Sequence, residues 1–297
     1  GDTEYAIGLV QGELENMGVS TRRTRKGALL GELGGFRDDA PRAVSAHVDT
    51  LGAMVAGIKS DGRLRLTALN GLVWPAVESE GLTIATRSGR RIRGSLVFAN
   101  GAAHVNKEAK TGPRNADTLE VRIDERTSSA EETRLLGIEI GDFVAFDPRV
   151  EISDSGFVRS RFLDDKACVA CALAAVKALT DVDITPAQAT TLLISNFEEV
   201  GHGGMDGLPP DLAEYVVLDM ACIGQGLRGD EFHASVCVAD SNGPYSKTLT
   251  DRLRDLADRR GIDLLADVYP HYGSDGGAYW RSGGGAAVAL FGPGVDT

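Results

Sequence analysis

Residues 43–52 read Ala43-Val44-Ser45-Ala46-His47-Val48-Asp49-Thr50-Leu51-Gly52. An apolar run that ends in His-x-Asp and then Gly predicts a buried strand whose last residues leave the core. Upstream, residues 2–18 read as a helix with Leu9, Val10, Leu14 and Met17 inward and Gly18 as its stop, and residues 28–33 read as a strand. The chain therefore opens as α/β. Immediately downstream the texture changes. Between residues 53 and 156, short runs such as Met54-Val55-Ala56-Gly57-Ile58 and Leu82-Thr83-Ile84-Ala85 alternate with turns at Ser60-Asp61-Gly62 and Arg87-Ser88-Gly89. Many short strands with few helical segments predict a small β-barrel or sandwich. The polar stretch 106–117 reads as a mobile loop.

From residue 157 the α/β texture returns. An Ala-rich helix is predicted over 165–179, strands over 189–197, 215–218, 232–239 and 286–291, and an amphipathic helix with Leu249, Leu253 and Leu256 over 248–261. The predicted architecture is a mixed central sheet flanked by helices, built from residues 1–52 and 157–297 and interrupted by a β-rich, barrel-like domain over 53–156.

Composition narrows the function. The chain has 297 residues, 31 basic and 43 acidic, for a net charge of −12. That surplus argues against nucleic acid or an anionic membrane surface as partner, because phosphate binding needs a basic face. No apolar run is long enough to span a bilayer. Four cysteines form no disulfide framework, which predicts a cytoplasmic location. Gly1-Asp2-Thr3 reads as a start left by cutting or renumbering.

Four motifs close or adjoin apolar runs. In His47-Val48-Asp49, strand alternation puts both polar side chains on one face, where a carboxylate can hold the imidazole tautomer and leave its other nitrogen for a metal. In Leu163-Asp164-Asp165-Lys166, one Asp suffices as a helix cap and two exceed that need. Phe197-Glu198-Glu199-Val200-Gly201 ends a buried strand, and adjacent Glu side chains diverge, so one can ligate while the other faces a metal-bound water. Asp219 closes Val216-Val217-Leu218. Each alone has an ordinary explanation as a strand end, cap or solvated turn. Together, at the carboxyl ends of strands, they concentrate negative charge that a divalent cation must offset. His and carboxylate donors suit Zn, Co or Mn over thiolate chemistry.

These motifs, with Tyr272-Gly273-Ser274-Asp275, resemble those of the tetrahedral (TET) aminopeptidases, dinuclear metallopeptidases related to glutamyl and deblocking aminopeptidases and once described as cellulases. The resemblance spans essentially the whole chain. It implies a metal-dependent aminopeptidase with two divalent ions per subunit, Zn or Co. His47 and Asp219 would bind one metal, Asp164 would bridge, and Glu199 would bind the second. Glu198 would be the general base, and Asp49 would orient His47. The inserted domain would be a dimerisation module, with dimers building tetrahedral dodecamers that act on peptides. The resemblance also places a Ser-His pair after the last Gly-Pro-Gly-Val-Asp segment, and none of the five His fills that position before Thr297. A second metal site short of one ligand is therefore expected within this sequence, as is a missing N-terminal helix and turn. Spacing separates this family from co-catalytic carboxypeptidases and acylases: 117 residues separate His47 from Asp164 and only 20 separate Glu199 from Asp219, so the insertion precedes the bridging Asp.

His202, His271, Ser274 and Asp275 are read as substrate-binding candidates around the same centre. Cys168-x-x-Cys171 reads as packing inside a helix, since no second pair accompanies it. Two other functions remain open at this point. One is a catalytically impaired, metal-binding oligomeric relative. The other is a glycosidase using Glu198 and Glu199, which adjacent positions disfavour because the two carboxyls must flank a glycosidic bond.

Overall fold

The computed structural model describes residues 2–296; Gly1 and Thr297, and the expectations attached to the two chain ends, lie outside the described residues. The chain divides into two compact units, Leu51–Arg161 and the segments on either side of it.

In the flanking unit, α1 (Glu4–Asn16) buries Ile7, Val10 and Leu14. The inward stripe is thus i, i+3, i+7, and the expected Leu9 is exposed instead. Two residues past Ile7, it sits on the opposite side of a 3.6-residue turn. The strands β1 (Ser20–Arg23), β2 (Leu29–Gly34) and β3 (Arg42–His47) follow. Sequence reading misses β1 because Ser-Thr-Arg-Arg carries no apolar alternation; it forms by pairing its backbone with β2.

The inserted unit contains β4 (Gly52–Ile58), β5 (Leu64–Leu69), β6 (Gly81–Ala85), β7 (Arg91–Phe98), β8 (Leu119–Ile123), a short helix α2 (Ala130–Leu135) and β9 (Phe143–Phe146). Six strands close in the order β4-β5-β8-β7-β6-β9. Closure removes both sheet edges, and alternation points Leu64, Leu66, Leu82, Ile84 and Leu96 into the lumen. The 106–117 stretch is tied down by Arg114, which pairs with Glu78 at 2.8 Å and stands over the Phe98 ring. A two-residue hairpin, β10 (Glu151–Ile152) with β11 (Val158–Arg159), ends the insertion.

The flanking unit resumes with α3 (Leu163–Asp181), β12 (Thr190–Ser195), β13 (Glu214–Leu218), β14 (Ala221–Cys222), β15 (Ala234–Asp240), β16 (Gly243–Pro244), α4 (Lys247–Arg260), β17 (Leu265–Val268), α5 (Asp275–Arg281) and β18 (Ala287–Val295). The mixed sheet runs β1-β2-β12-β3-β13-β18-β15-β16, with β14 and β17 pairing off that path. Its central strands β12, β3, β13 and β18 are parallel. Their middle residues are mostly apolar because both faces are covered. On one face α1 and α3 bury Leu14, Leu29, Val169, Ala172 and Ile194. On the other, Tyr215, Val217, Val288 and Leu290 pack with Tyr245 and Tyr279. Each of the buried Leu, Ile and Val side chains among these contributes about 1.5–3 kcal/mol by leaving water. In α4, Leu249 is buried but Leu256 is exposed, and Ala257 takes the inward place.

Candidate metal centre

Parallel pairing brings the strand ends to one edge of the sheet. Ser195 lies opposite His47 in the β12–β3 register, and Val217 lies opposite Ser45 in the β13–β3 register. The residues just beyond, Glu198 and Asp219, therefore emerge beside His47. This is the crevice where open α/β sheets bind ligands.

His47 is 2% exposed. Its Nδ1 stands 3.1 Å from the Asp49 carbonyl oxygen and 3.5 Å from Asp49 Oδ1. A carbonyl only accepts, so Nδ1 carries a proton, and Nε2 is the nitrogen open to a second proton or a metal ion. Nε2 faces Asp164 Oδ1 at 3.0 Å and Glu198 Oε2 at 3.7 Å. Lone pair against carboxylate is repulsive unless a proton or a cation stands between them. His47, Asp164 and Asp219 each offer a donor atom, and these atoms lie within 4.8 Å of one another. Among the described residues this is the group with metal-holding geometry, and Glu199 is not a member of it.

Asp49 and Asp219 are held by backbone amides. Asp49 is buried, and its two carboxylate oxygens accept from the backbone N–H of Glu198 at 3.2 Å and of Glu199 at 3.1 Å. Asp219 Oδ1 accepts from Met220 N at 2.7 Å. A Cβ at position 292 would collide with the Asp219 carbonyl, so β18 can close on this turn only through Gly292. Phe197, just before the Glu pair, has φ of 63°. That left-handed conformation costs a bulky residue about 1–3 kcal/mol. It is held by the Phe197–His202 stack at 5.0 Å and by the Lys26 ammonium 5.4 Å from the Phe197 ring.

The electrostatics are those of a site short of positive charge. Burial pushes the carboxyls of Glu198 and Asp219 well above the usual carboxylate range, and neighbouring acids add to it. Burial disfavours the His47 cation, but Asp164 and Asp49 outweigh it and hold its pKa well above the ordinary value. Burial likewise disfavours the Asp49 anion, but His47 and the backbone N–H groups of Glu199 and Glu198 together outweigh it, and its pKa is lowered. The Glu198 and Asp219 carboxyls are therefore short of a proton or a cation. The donor set and this imbalance fit a divalent metal ion.

Asp165 was legible only as a surplus cap. It is fully buried, and its Oδ2 accepts from the His47 backbone N–H at 3.0 Å. Its Oδ1 is buried without a partner, and burial raises its pKa to about 7. Asp164 and Asp165 both have non-helical backbone torsions, so neither caps α3 in the ordinary way. Lys26 carries no signal in the sequence, and Tyr272 stands there only within the Tyr272-Gly273-Ser274-Asp275 motif. Lys26 Nζ lies 3.1 Å from His202 Nδ1, and Tyr272 donates to the Met220 carbonyl at 3.0 Å.

The substrate-binding candidates separate. His202 and His271 are exposed. Ser274 and Asp275 are buried, against the sequence expectation that they face substrate. Ser274 caps α5 by accepting from Gly276 N at 3.2 Å and pairs with the Tyr245 hydroxyl at 2.8 Å. Asp275 accepts from the Ser195 hydroxyl. Cys168 is buried as expected, but Cys171 is exposed, and all four cysteines are free.

Comparison with known proteins bears on the family and the fold. The family model for M42 glutamyl aminopeptidase matches residues 27–297. YhfE of Bacillus subtilis (strain 168), which bears an aminopeptidase name, is 43% identical over 296 residues, covering 100% of this chain and 86% of its own. PhTET1-12s, a dodecamer, superposes with a TM-score of 0.82 at 20% identity over 99% of this chain and 85% of its own. A TET aminopeptidase from the marine sediment archaeon Thaumarchaeota archaeon SCGC AB-539-E09 superposes with a TM-score of 0.86 at 16% identity, over 98% and 83% of the two chains. At those identities the two structures speak for the fold, a mixed α/β sheet with a closed barrel. The family match and the resemblance read from the motifs agree: the chain belongs to the M42 glutamyl aminopeptidase family.

Proposed function

We propose that this M42 peptidase is a metal-dependent aminopeptidase that removes N-terminal residues from peptides. The observation that carries the reading is the convergence of His47, Asp164 and Asp219 within 4.8 Å, with the Glu198 carboxylate 3.7 Å from His47. His47 and Asp219 would hold one divalent ion, and Asp164 would bridge it to a second held by Glu199, Zn or Co being the expected metals. A divalent ion there supplies Lewis acidity, lowering the pKa of a water and polarising the scissile carbonyl.

The chain's own groups do the rest. Asp49 orients the His47 ring through Nδ1 and, through the Glu198 and Glu199 amides, fixes the turn that carries the base. Glu198 accepts the proton of the attacking water at its carboxylate and returns it to the leaving amine. Its side chain is 15% exposed, so little bulk water competes at that carboxylate.

The inserted barrel is proposed to mediate dimerisation, with dimers building a dodecamer. The dodecameric assembly of PhTET1-12s supports this. Four free cysteines support a reducing, cytoplasmic setting. No helix among the described residues is long and apolar enough to cross a membrane.

The test is metal content together with hydrolysis of aminoacyl-anilides, before and after chelation. Loss of turnover on chelation and its return with Zn or Co is expected. A metal-loaded protein without turnover on any aminoacyl-anilide or peptide would favour the impaired-relative reading. Light scattering checks the oligomer, and a monomer at micromolar concentration would refute that part.

A further inference from the structure

Asp275 is a buried carboxylate that the mechanism above leaves unused. It is 1% exposed and lies at the first residue of α5. Its Oδ2 accepts from the Ser195 hydroxyl, and its Oδ1 is buried without a hydrogen-bond partner. Ser195 ends β12, pairs with His47 in register and stands three residues before Glu198.

The other end of the same turn closes over Asp275. A Cβ on Gly203 would run into Asp275 Oδ1 and would stand 2.9 Å from both Glu198 N and Asn196 O. A Cβ on Gly204 would run into the Asp275 side chain. Only glycines allow so close an approach. The Gly204 carbonyl in turn accepts from the buried Tyr215 hydroxyl at 2.9 Å. The 196–204 turn, which carries the Glu198-Glu199 pair, is therefore folded around the Asp275 side chain. Its start is tied through Ser195 and its end is packed on the same carboxylate. Asp275 is thus enclosed by the turn itself.

We propose that Asp275 is a positioning residue: by holding Ser195 at the start of the turn and Gly203-Gly204 at its end, it fixes where the Glu198 carboxylate stands relative to His47. The inference rests on the reading of Glu198 as the base. A buried carboxyl with one oxygen unpaired is a poor stabilising device, since desolvation outweighs a single hydrogen bond. Its presence at this place is accounted for by the turn it organises.

The experiment compares Asp275→Ala, Ser195→Ala, the double variant and Asp275→Asn. The readouts are kcat and KM on an aminoacyl-anilide, melting temperature, and amide exchange of residues 196–204 in metal-free protein. Asp275→Ala and Ser195→Ala are expected to lower kcat by about tenfold to a hundredfold, the effect of a small misplacement of a reacting group, with KM little changed. The double variant is expected to be no worse than the worse single, because both break one link. Asp275→Asn keeps an oxygen for Ser195 and is expected to recover most of kcat. Exchange is expected to rise in the turn and not elsewhere.

Unchanged kcat in Ser195→Ala, additive losses, or Asn no better than Ala would overturn the proposal. Ser195→Ala decides alone if Asp275→Ala does not fold. Glu198→Gln is measured alongside. Full turnover in that variant would remove the underlying reading, whereas an inactive Glu198→Gln beside neutral Ser195 and Asp275 variants would overturn only the positioning role.

Discussion

Glu198→Gln isolates proton transfer from every other property of the centre. The amide is nearly isosteric with the carboxylate, so it occupies the same largely enclosed space. The turn geometry is held by the Glu198 and Glu199 backbone amides donating to Asp49, and these contacts do not involve the Glu198 side chain. None of His47, Asp164 and Asp219 is altered, so the metal-holding group is intact. Removing one negative charge from a crowded, buried set relieves repulsion, and melting temperature is expected to hold or rise slightly. What is lost is an acceptor for the water's proton. General base catalysis is worth about a hundredfold to ten-thousandfold, so kcat is expected to fall by that factor. At about 1.36 kcal/mol per tenfold, the barrier rises by roughly 2.7–5.4 kcal/mol. The assay is aminoacyl-anilide hydrolysis at saturating substrate, paired with metal analysis of the same preparation. Turnover within a fewfold of wild type, with metal retained, refutes the assignment. Loss of turnover that tracks loss of metal refutes the reasoning about independent turn geometry.

Other consequences follow from the same contacts. Chelation should lower the melting temperature, and a divalent ion at about a hundredfold its Kd should restore about 2.7 kcal/mol of stability; His47→Ala should abolish that shift in calorimetry. Leu14→Ala should cost about 2–5 kcal/mol by chemical denaturation, since Leu14 is fully buried under α1, whereas Leu9→Ala should stay within about 0.5 kcal/mol. In the barrel, the Arg93 guanidinium grips Asp147 with two hydrogen bonds and holds its carboxyl below the usual range. A depressed pKa contributes stability above the unfolded value and loses it as pH falls through the folded one. Asp147→Asn should therefore destabilise at neutral pH, by less than about 1 kcal/mol because the pair is half exposed, and the difference from wild type should vanish on acidification.

Much of this protein could be read along the chain. The change of texture after Gly52 and its reversal after residue 156 follow from hydrophobic period alone, because strand and helix repeats are local properties of a dozen residues. The candidates His47, Asp49, Asp164, Glu198, Glu199 and Asp219 stand out for a related reason. An acid or imidazole at the end of an apolar run has left the core, and repeated coincidence at several strand ends is visible without coordinates.

What needed the tertiary structure was every choice between equivalent partners. Ser20–Arg23 becomes a strand because β2 offers an edge, not because its side chains ask for one. The barrel closes when β4 meets β9, a pairing of segments about ninety residues apart that no local pattern specifies. Asp165 looks like a helix cap until it is seen 118 residues away in sequence from the His47 amide it accepts. Asp275 and Ser274 read as substrate-binding candidates in the sequence, and the structure buries both. Periodicity and residue chemistry set which elements form and which side chains could react. Burial, register and long-range hydrogen bonding, which depend on the whole sheet, decided which of those side chains converge on His47 and which support them from behind.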